Sequence, residues 1–191
     1  MQFDMFEPVP NLPALQLMEH PSSGYAARTG DNARGADVTV AFATDFSTAG
    51  ERLTARMAGK KYLAIAFGEE ISVAADKLSR FMQAQGARSL NVAGNGIYTL
   101  KKKGISQREA NQWVYDVLKA THARTPLDFI RSGGQTGIDT AGLVAGLALG
   151  KPIIGLYPQG YRRRLASGQD VEATPAQLEA ELRSFVSELR T

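Results

Sequence analysis

Residues 131–142 read RSGGQTGIDTAG, so paired glycines, an amide, a hydroxyl, a third glycine and an acid fall in a single turn. Glycine suits a turn where the backbone needs positive φ or must approach another group without a Cβ collision. A helix that starts from such a turn presents free N–H groups and a partial positive charge, which suits phosphate. The chemistry implied is anion binding, with Gly133, Gly134 and Gly137 forming the cradle and Gln135 and Thr136 supplying polar side chains. Asp139 lies in the first turn of the following helix. It reads equally as a stabiliser of that terminus and as a ligand-binding or catalytic group.

A second turn, NVAGNGIYTL over 91–100, places Gly94 and Gly96 on either side of Asn95. A tight strand-to-helix turn with no ligand accounts for it as well as a binding loop does. Neither turn is followed by Gly-Lys-Ser/Thr, and neither is a GxGxxG fingerprint, so P-loop phosphoryl transfer and hydride transfer are disfavoured. Glu51 follows Ser47 and Thr48 at capping-box spacing,. As a general acid or base, the same carboxylate would need burial or a charged neighbour to tune it. The basic runs KKK (101–103) and RRR (162–164) read as solvated surface or as anion contacts,. Arg131, Tyr157 and Arg162 are further candidate neighbours of the site, arginine being suited to bidentate phosphate contact,.

Alternating strands and helices must position these turns. VTVAF (38–42), YLAIAF (62–67), SLNVAG (89–94), LDFIRSG (127–133) and IIGLYP (153–158) read as short buried strands. Between them lie helical stretches at 47–59, about 71–85, 105–122 with Ser106 as N-cap, and 138–150 closed by Gly150,. A terminal helix spans 174–190, with Thr174 capping and Pro175 at its first position,. Buried strands alternating with helices predict an α/β, three-layer Rossmann-like domain. Its sheet is mainly parallel, of about five or more strands, with helices on both faces. Ligands in such sheets bind beyond the carboxyl ends of the strands, near the switch in strand order.

Pro8, Pro10, Pro13 and Pro21 interrupt the N-terminal region, so residues 1–27 are expected to be an extended arm and 28–191 a single domain. The 191 residues include no cysteine and only two histidines, His20 and His122, so thiolate and histidine-based metal sites are not expected,. No run of about 18 apolar residues exists, which excludes a membrane-spanning helix on sequence grounds,. The N-terminus carries Asp4, Glu7 and Glu19 without a basic region, so a secretory signal is not expected and the default expectation is a cytoplasmic protein,. A net charge of +3 is too mild to suggest nucleic acid by itself,.

The segment SGGQTGIDTAGLVAGLALG, followed by IIGLYPQGYRRR, resembles the YpsA-type and molybdenum-cofactor-carrier branch of the SLOG superfamily. That superfamily also contains the lysine-decarboxylase-like LOG proteins and the DNA-processing protein DprA. The stretch RTGDN before ADVTVAF resembles the carrier-type region where Arg-Thr and Asn precede an AD strand, and it implies Arg28, Thr29 and Asn32 as ligand contacts. Here the AD strand comes first, then GNG, then GGQTG, an order that implies a circular permutation. A doubly wound sheet tolerates this when its termini lie close together. In TDFSTAGERL, Thr48 and Glu51 match the end of the LOG phosphoribohydrolase signature PGGxGTxxE, but the glycine pair is missing.

The resemblance implies a protein that binds a nucleotide or nucleotide-derived molecule, NAD- or ADP-ribose-like or a nucleoside phosphate, and that senses or sequesters it. An enzyme that hydrolyses N-glycosidic or phosphoribosyl bonds, with Glu51 or Asp139 positioning water, is the alternative. Carriage of the molybdenum cofactor ranks below these, and DprA-like DNA binding ranks last. A homodimer is expected from the resemblance alone.

Overall fold

The computed structural model describes residues 14–22 and 25–190. Six parallel strands form one sheet: β1 (Leu15–Glu19), β2 (Val38–Ala43), β3 (Tyr62–Ala66), β4 (Ser89–Gly94), β5 (Phe129–Ser132) and β6 (Ile153–Tyr157). Their spatial order is β1-β6-β5-β4-β2-β3. The helices are α1 (Tyr25–Arg34), α2 (Ala49–Ala58), α3 (Ile71–Gln85), α4 (Ile97–Lys101), α5 (Gln107–Arg124), α6 (Ile138–Ala148) and α7 (Pro175–Ser187). A two-stranded antiparallel hairpin, β7 (Arg163–Arg164) with β8 (Asp170–Val171), lies between β6 and α7.

Right-handed crossovers explain the layers. The connections β1→β2 and β2→β3 run toward one edge, and their helices α1 and α2 pack together. The connections β3→β4, β4→β5 and β5→β6 run the other way. Their helices α3, α5 and α6 pack in sequence, with α7 against α6. The result is the three-layer Rossmann-like architecture expected from the alternation of elements.

The core lies mainly under the second layer, where Val40, Phe42, Leu90, Val92 and Ile130 meet Leu78, Met82, Val114 and Leu118. Helix α6 approaches the sheet most closely. A Cβ on Gly142 would lie 2.6 Å from Val92 Cβ, and one on Gly146 would lie 2.5 Å from Ile153 Cγ2. A smaller cluster joins Leu143, Val144, Ile153 and Tyr157 to Leu178 and Leu182 of α7.

Two elements differ from the sequence-based expectation. Leu15–Glu19, placed there in an extended arm, pairs with β6 as an edge strand, Leu15 opposite Ile153 and Glu19 opposite Tyr157. RTGDN lies within α1, a helix that the sequence reading did not include. Residues 1–13, 23 and 24 of that arm lie outside the described residues.

Candidate functional site

The strand order reverses between β2 and β4, since β3 lies outside β2 and the later strands continue beyond β4. At the carboxyl ends of these strands is a cavity of about 520 Å³. Its walls come from α1 (Arg28, Thr29, Asn32), the start of α2 (Gly50, Glu51, Thr54), and the end of β4 with α4 (Asn91, Gly94, Gly96, Tyr98, Thr99). The turn after β5 (Gly133, Gln135, Thr136, Asp139) and Arg164 of the hairpin complete them.

The two glycine turns form one unit. Ile97 N–H donates to Thr136 O at 3.2 Å, and Ile138 N–H donates to Asn95 O at 3.1 Å. Gly137 sits where they touch, and a Cβ there would lie 2.5 Å from Asn95 O. Asn95 is buried, and its side chain works inside the protein. Its Oδ1 accepts from the Thr44 and Asp45 amides at 2.9 and 3.1 Å, and its Nδ2 donates to Asp45 O and Glu51 Oε1 at 3.1 and 3.3 Å. The amide of Asn95 thus ties the β2–α2 loop to the end of β4.

At the start of α6, where an anion seat is expected, three amides are engaged by partners within the protein. Gly137 N–H donates to Gln107 Oε1 at 2.6 Å, Ile138 N–H is taken by Asn95, and Gln135 N–H donates to Asp139 Oδ2 at 3.3 Å. The side chains of the turn are engaged as well. Gln135 Nε2 donates to Arg162 O at 3.1 Å, and Thr136 Oγ1 donates to Arg164 O, fastening the hairpin to the turn.

Gly134 does not face the cavity either. Its φ is +72°, and a Cβ there would lie 2.5–2.7 Å from the Tyr157 ring. Tyr157 is fully buried against it, outside the cavity wall. Arg131 also stands behind the wall, where its Nε donates to Asn32 Oδ1 at 3.1 Å. Arg162 borders a separate, smaller cavity.

Glu51 resolves the double reading of its motif. Thr48 Oγ1 accepts from Glu51 N–H at 3.2 Å and caps α2, while the Glu51 carboxyl turns into the cavity wall. Glu51 is 4% exposed, and its Oε2 is buried without a partner. Burial, then the Asp139 charge, pushes its pKa up to about 7, against a smaller lowering by the Asn95 hydrogen bond. Asp139 is raised to about 6 by burial, opposed by the Arg28 charge and the Gln135 amide. Arg28 is buried, and its Nη1 donates to Gly133 O. Gly133 lacks a side chain because Arg28 Nη1 and Asp139 Oδ2 would each lie 2.5 Å from its Cβ.

The sequence reading missed Asn91, Tyr98 and Thr99, and took in Arg164 only as part of the RRR run. Asn91 carried a usable signal, since it is an amide in an otherwise apolar buried strand. Its Nδ2 donates to Thr39 Oγ1 at 3.1 Å, and its Oδ1 is buried without a partner. Among the described residues, no group of three or more His, Cys, Asp or Glu could hold a metal ion, and no helix is long and apolar enough to cross a membrane.

A doubly wound parallel sheet flanked by helices, with a cavity at its switch point, is a Rossmann-like architecture,. Residues 7–118 match the circularly permuted YpsA SLOG family, and the chain belongs to it. The matched region ends within α5, before the GGQTG turn. No curated protein matches the sequence. Among solved structures, the chain is similar to a candidate molybdenum carrier protein from Syntrophus aciditrophicus SB. The two share 24% identity over 53% of this chain and 63% of that one, with a TM-score of 0.44. The chain thus spans less than two thirds of that protein's length.

Proposed function

We propose that the protein binds a nucleotide-derived small molecule in the switch-point cavity. The observation that carries this reading is a pair of buried acceptors without partners, Glu51 Oε2 and Asn91 Oδ1, in two residues that border a cavity of about 520 Å³. A buried polar atom left unpaired costs ~1–3 kcal/mol, so a ligand that donates hydrogen bonds there gains affinity by satisfying it. Sugar hydroxyls and base amines are such donors. The volume falls within the ~300–1,000 Å³ typical of small-molecule sites. Tyr98 and Leu53 supply apolar surface beside the polar groups.

The test is calorimetric titration of the full chain with common nucleosides, their 5′-monophosphates and ADP-ribose. Saturable binding that weakens in Asn91→Leu, in a variant that still folds, is the expected result. No binding to any of these compounds would refute the reading.

A second reading, hydrolysis of an N-glycosidic or phosphoribosyl bond, is favoured by Glu51 itself. Its carboxyl is held near neutrality, where a general acid or base is most effective,. The measurement is release of free base from nucleoside monophosphates. Turnover abolished by Glu51→Gln supports the enzyme, and binding without turnover refutes it.

A further inference from the structure

A second cavity, of about 60 Å³, shares Arg28, Gln135 and Arg164 with the first. It is also bordered by Arg162, Arg163 and one acid, Asp170. By the ~15 Å³ a water molecule needs, it holds about four waters, close to the footprint of one tetrahedral oxyanion.

Its charges do not balance. Arg164 forms a two-point pair with Asp170 at 2.8 and 3.1 Å, Arg163 Nη2 pairs with Glu181 at 2.7 Å, and Arg28 faces Asp139. Among the described residues, Arg162 has no ion pair. Arg163 is 8% exposed, and its Nε is buried without a hydrogen-bond partner. One cationic charge and one orphaned N–H therefore remain at a cavity the size of an oxyanion.

We propose that this arginine-lined cavity is the subsite for a phosphoryl group carried by the ligand of the main cavity. The proposal rests on the reading of the main cavity as a nucleotide-type site and moves charge recognition from the start of α6 to the residues of the RRR run. A carboxylate is planar and saturates one guanidinium fork. A phosphoryl group offers three oxygens and up to two charges to guanidinium groups arriving from several directions. The shared wall allows one molecule to occupy both cavities, with its sugar and base against Glu51 and Asn91 and its phosphoryl group among the arginines. Gln135 and Thr136 set the geometry by fastening the backbone of 162 and 164 to the turn.

The test compares nucleosides with their 5′-monophosphates by calorimetry and follows inorganic phosphate by ³¹P line broadening, with acetate added as a planar competitor. In the wild-type chain, each monophosphate that binds is expected to do so about tenfold or more tightly than its nucleoside, which is the effect of a charge-assisted hydrogen bond. Arg162→Ala removes an exposed side chain without an ion pair and should leave melting unchanged while abolishing that preference. Arg163→Lys keeps the charge but loses the Nε donor, and is expected to weaken phosphate without affecting nucleosides. A monophosphate preference that survives in folded Arg162→Ala overturns the subsite and leaves the main-cavity reading intact. Phosphate binding that requires Arg162, with no affinity for any nucleoside or nucleotide, upholds an oxyanion site and overturns the nucleotide reading. Acetate that reverses the phosphate broadening as effectively as a nucleoside monophosphate does overturns the phosphoryl assignment.

Discussion

Gly134→Ala tests whether the glycine pair serves a ligand or the protein's own packing. Gly134 has φ +72°, and an added Cβ would lie 2.5, 2.6 and 2.7 Å from three atoms of the buried Tyr157 ring. Holding an L-residue in left-handed backbone costs roughly 1–2 kcal/mol. Forcing a carbon into a packed interior adds roughly 1–3 kcal/mol. The two together give about 2–5 kcal/mol, which at ~2–4 °C per kcal/mol for a domain of this size lowers Tm by roughly 4–20 °C. Gly96→Ala is the control. Its φ is −66°, and the nearest atom to an added Cβ is Thr136 O at 3.6 Å, so Tm should hold while the new methyl narrows the cavity. Pairing Gly134→Ala with Tyr157→Val separates the contributions. In that background the packing share disappears and about 1–2 kcal/mol of backbone cost remains. The assay is a thermal melt followed by circular dichroism for five chains: the wild type, Gly134→Ala, Gly96→Ala, Tyr157→Val and the double variant. A Gly134→Ala protein that melts like the wild type and loses only ligand affinity would refute the packing assignment and restore Gly134 to the binding site.

Three further outcomes follow from the same geometry. The Glu51 pKa rises from an ordinary 4.5 to about 7, so between these values the folded chain holds a proton that the unfolded chain releases, and stability falls as pH rises through that window,. Glu51→Gln should abolish up to ~3 kcal/mol of that decline, read as the urea midpoint at pH 8 against pH 4, with a smaller slope from Asp139 persisting up to about pH 6,. Asn95→Ala strips the Thr44 and Asp45 amides of their acceptor and should cost about 2–4 kcal/mol in urea unfolding, with protease sensitivity appearing in the β2–α2 loop,. Gln107→Ala removes both hydrogen bonds to Gly137, at 2.6 and 2.9 Å, and should destabilise by about 1–3 kcal/mol,. Unchanged unfolding in either of these last two variants would contradict the tie it removes.

The central strands were legible because burial on both faces leaves short apolar runs between turn residues, and β2 through β6 fall where those runs lie. Ser106 and Thr174 were legible as caps because the capping pattern is local, and both form capping boxes. Strand β1 was hidden because LQLME is short, mixed in polarity and flanked by prolines. Helix α1 was hidden because YAARTGDNAR has no apolar stripe to mark a buried face. At the site, the sequence showed where side chains are missing but not what fills the space. The same absence at Gly133, Gly134 and Gly137 makes room for the side chains of Arg28 and Asp139, a tyrosine ring and a neighbouring turn. The spacing of Thr48 and Glu51 suited both a cap and a catalytic acid. Only the fold divides the two roles between the hydroxyl and the carboxyl.

The pairing of β1 with β6 bears on how the chain is made. β1 leaves the ribosome 138 residues ahead of its partner, Leu15 against Ile153, and among the described residues no other strand borders β1. At ~5–20 residues per second, the nascent segment waits on the order of ten seconds for a neighbour. Until then it is an unpaired β-segment on a growing polypeptide, a candidate client for a chaperone and a point at which truncated translation products would be recognised as incomplete.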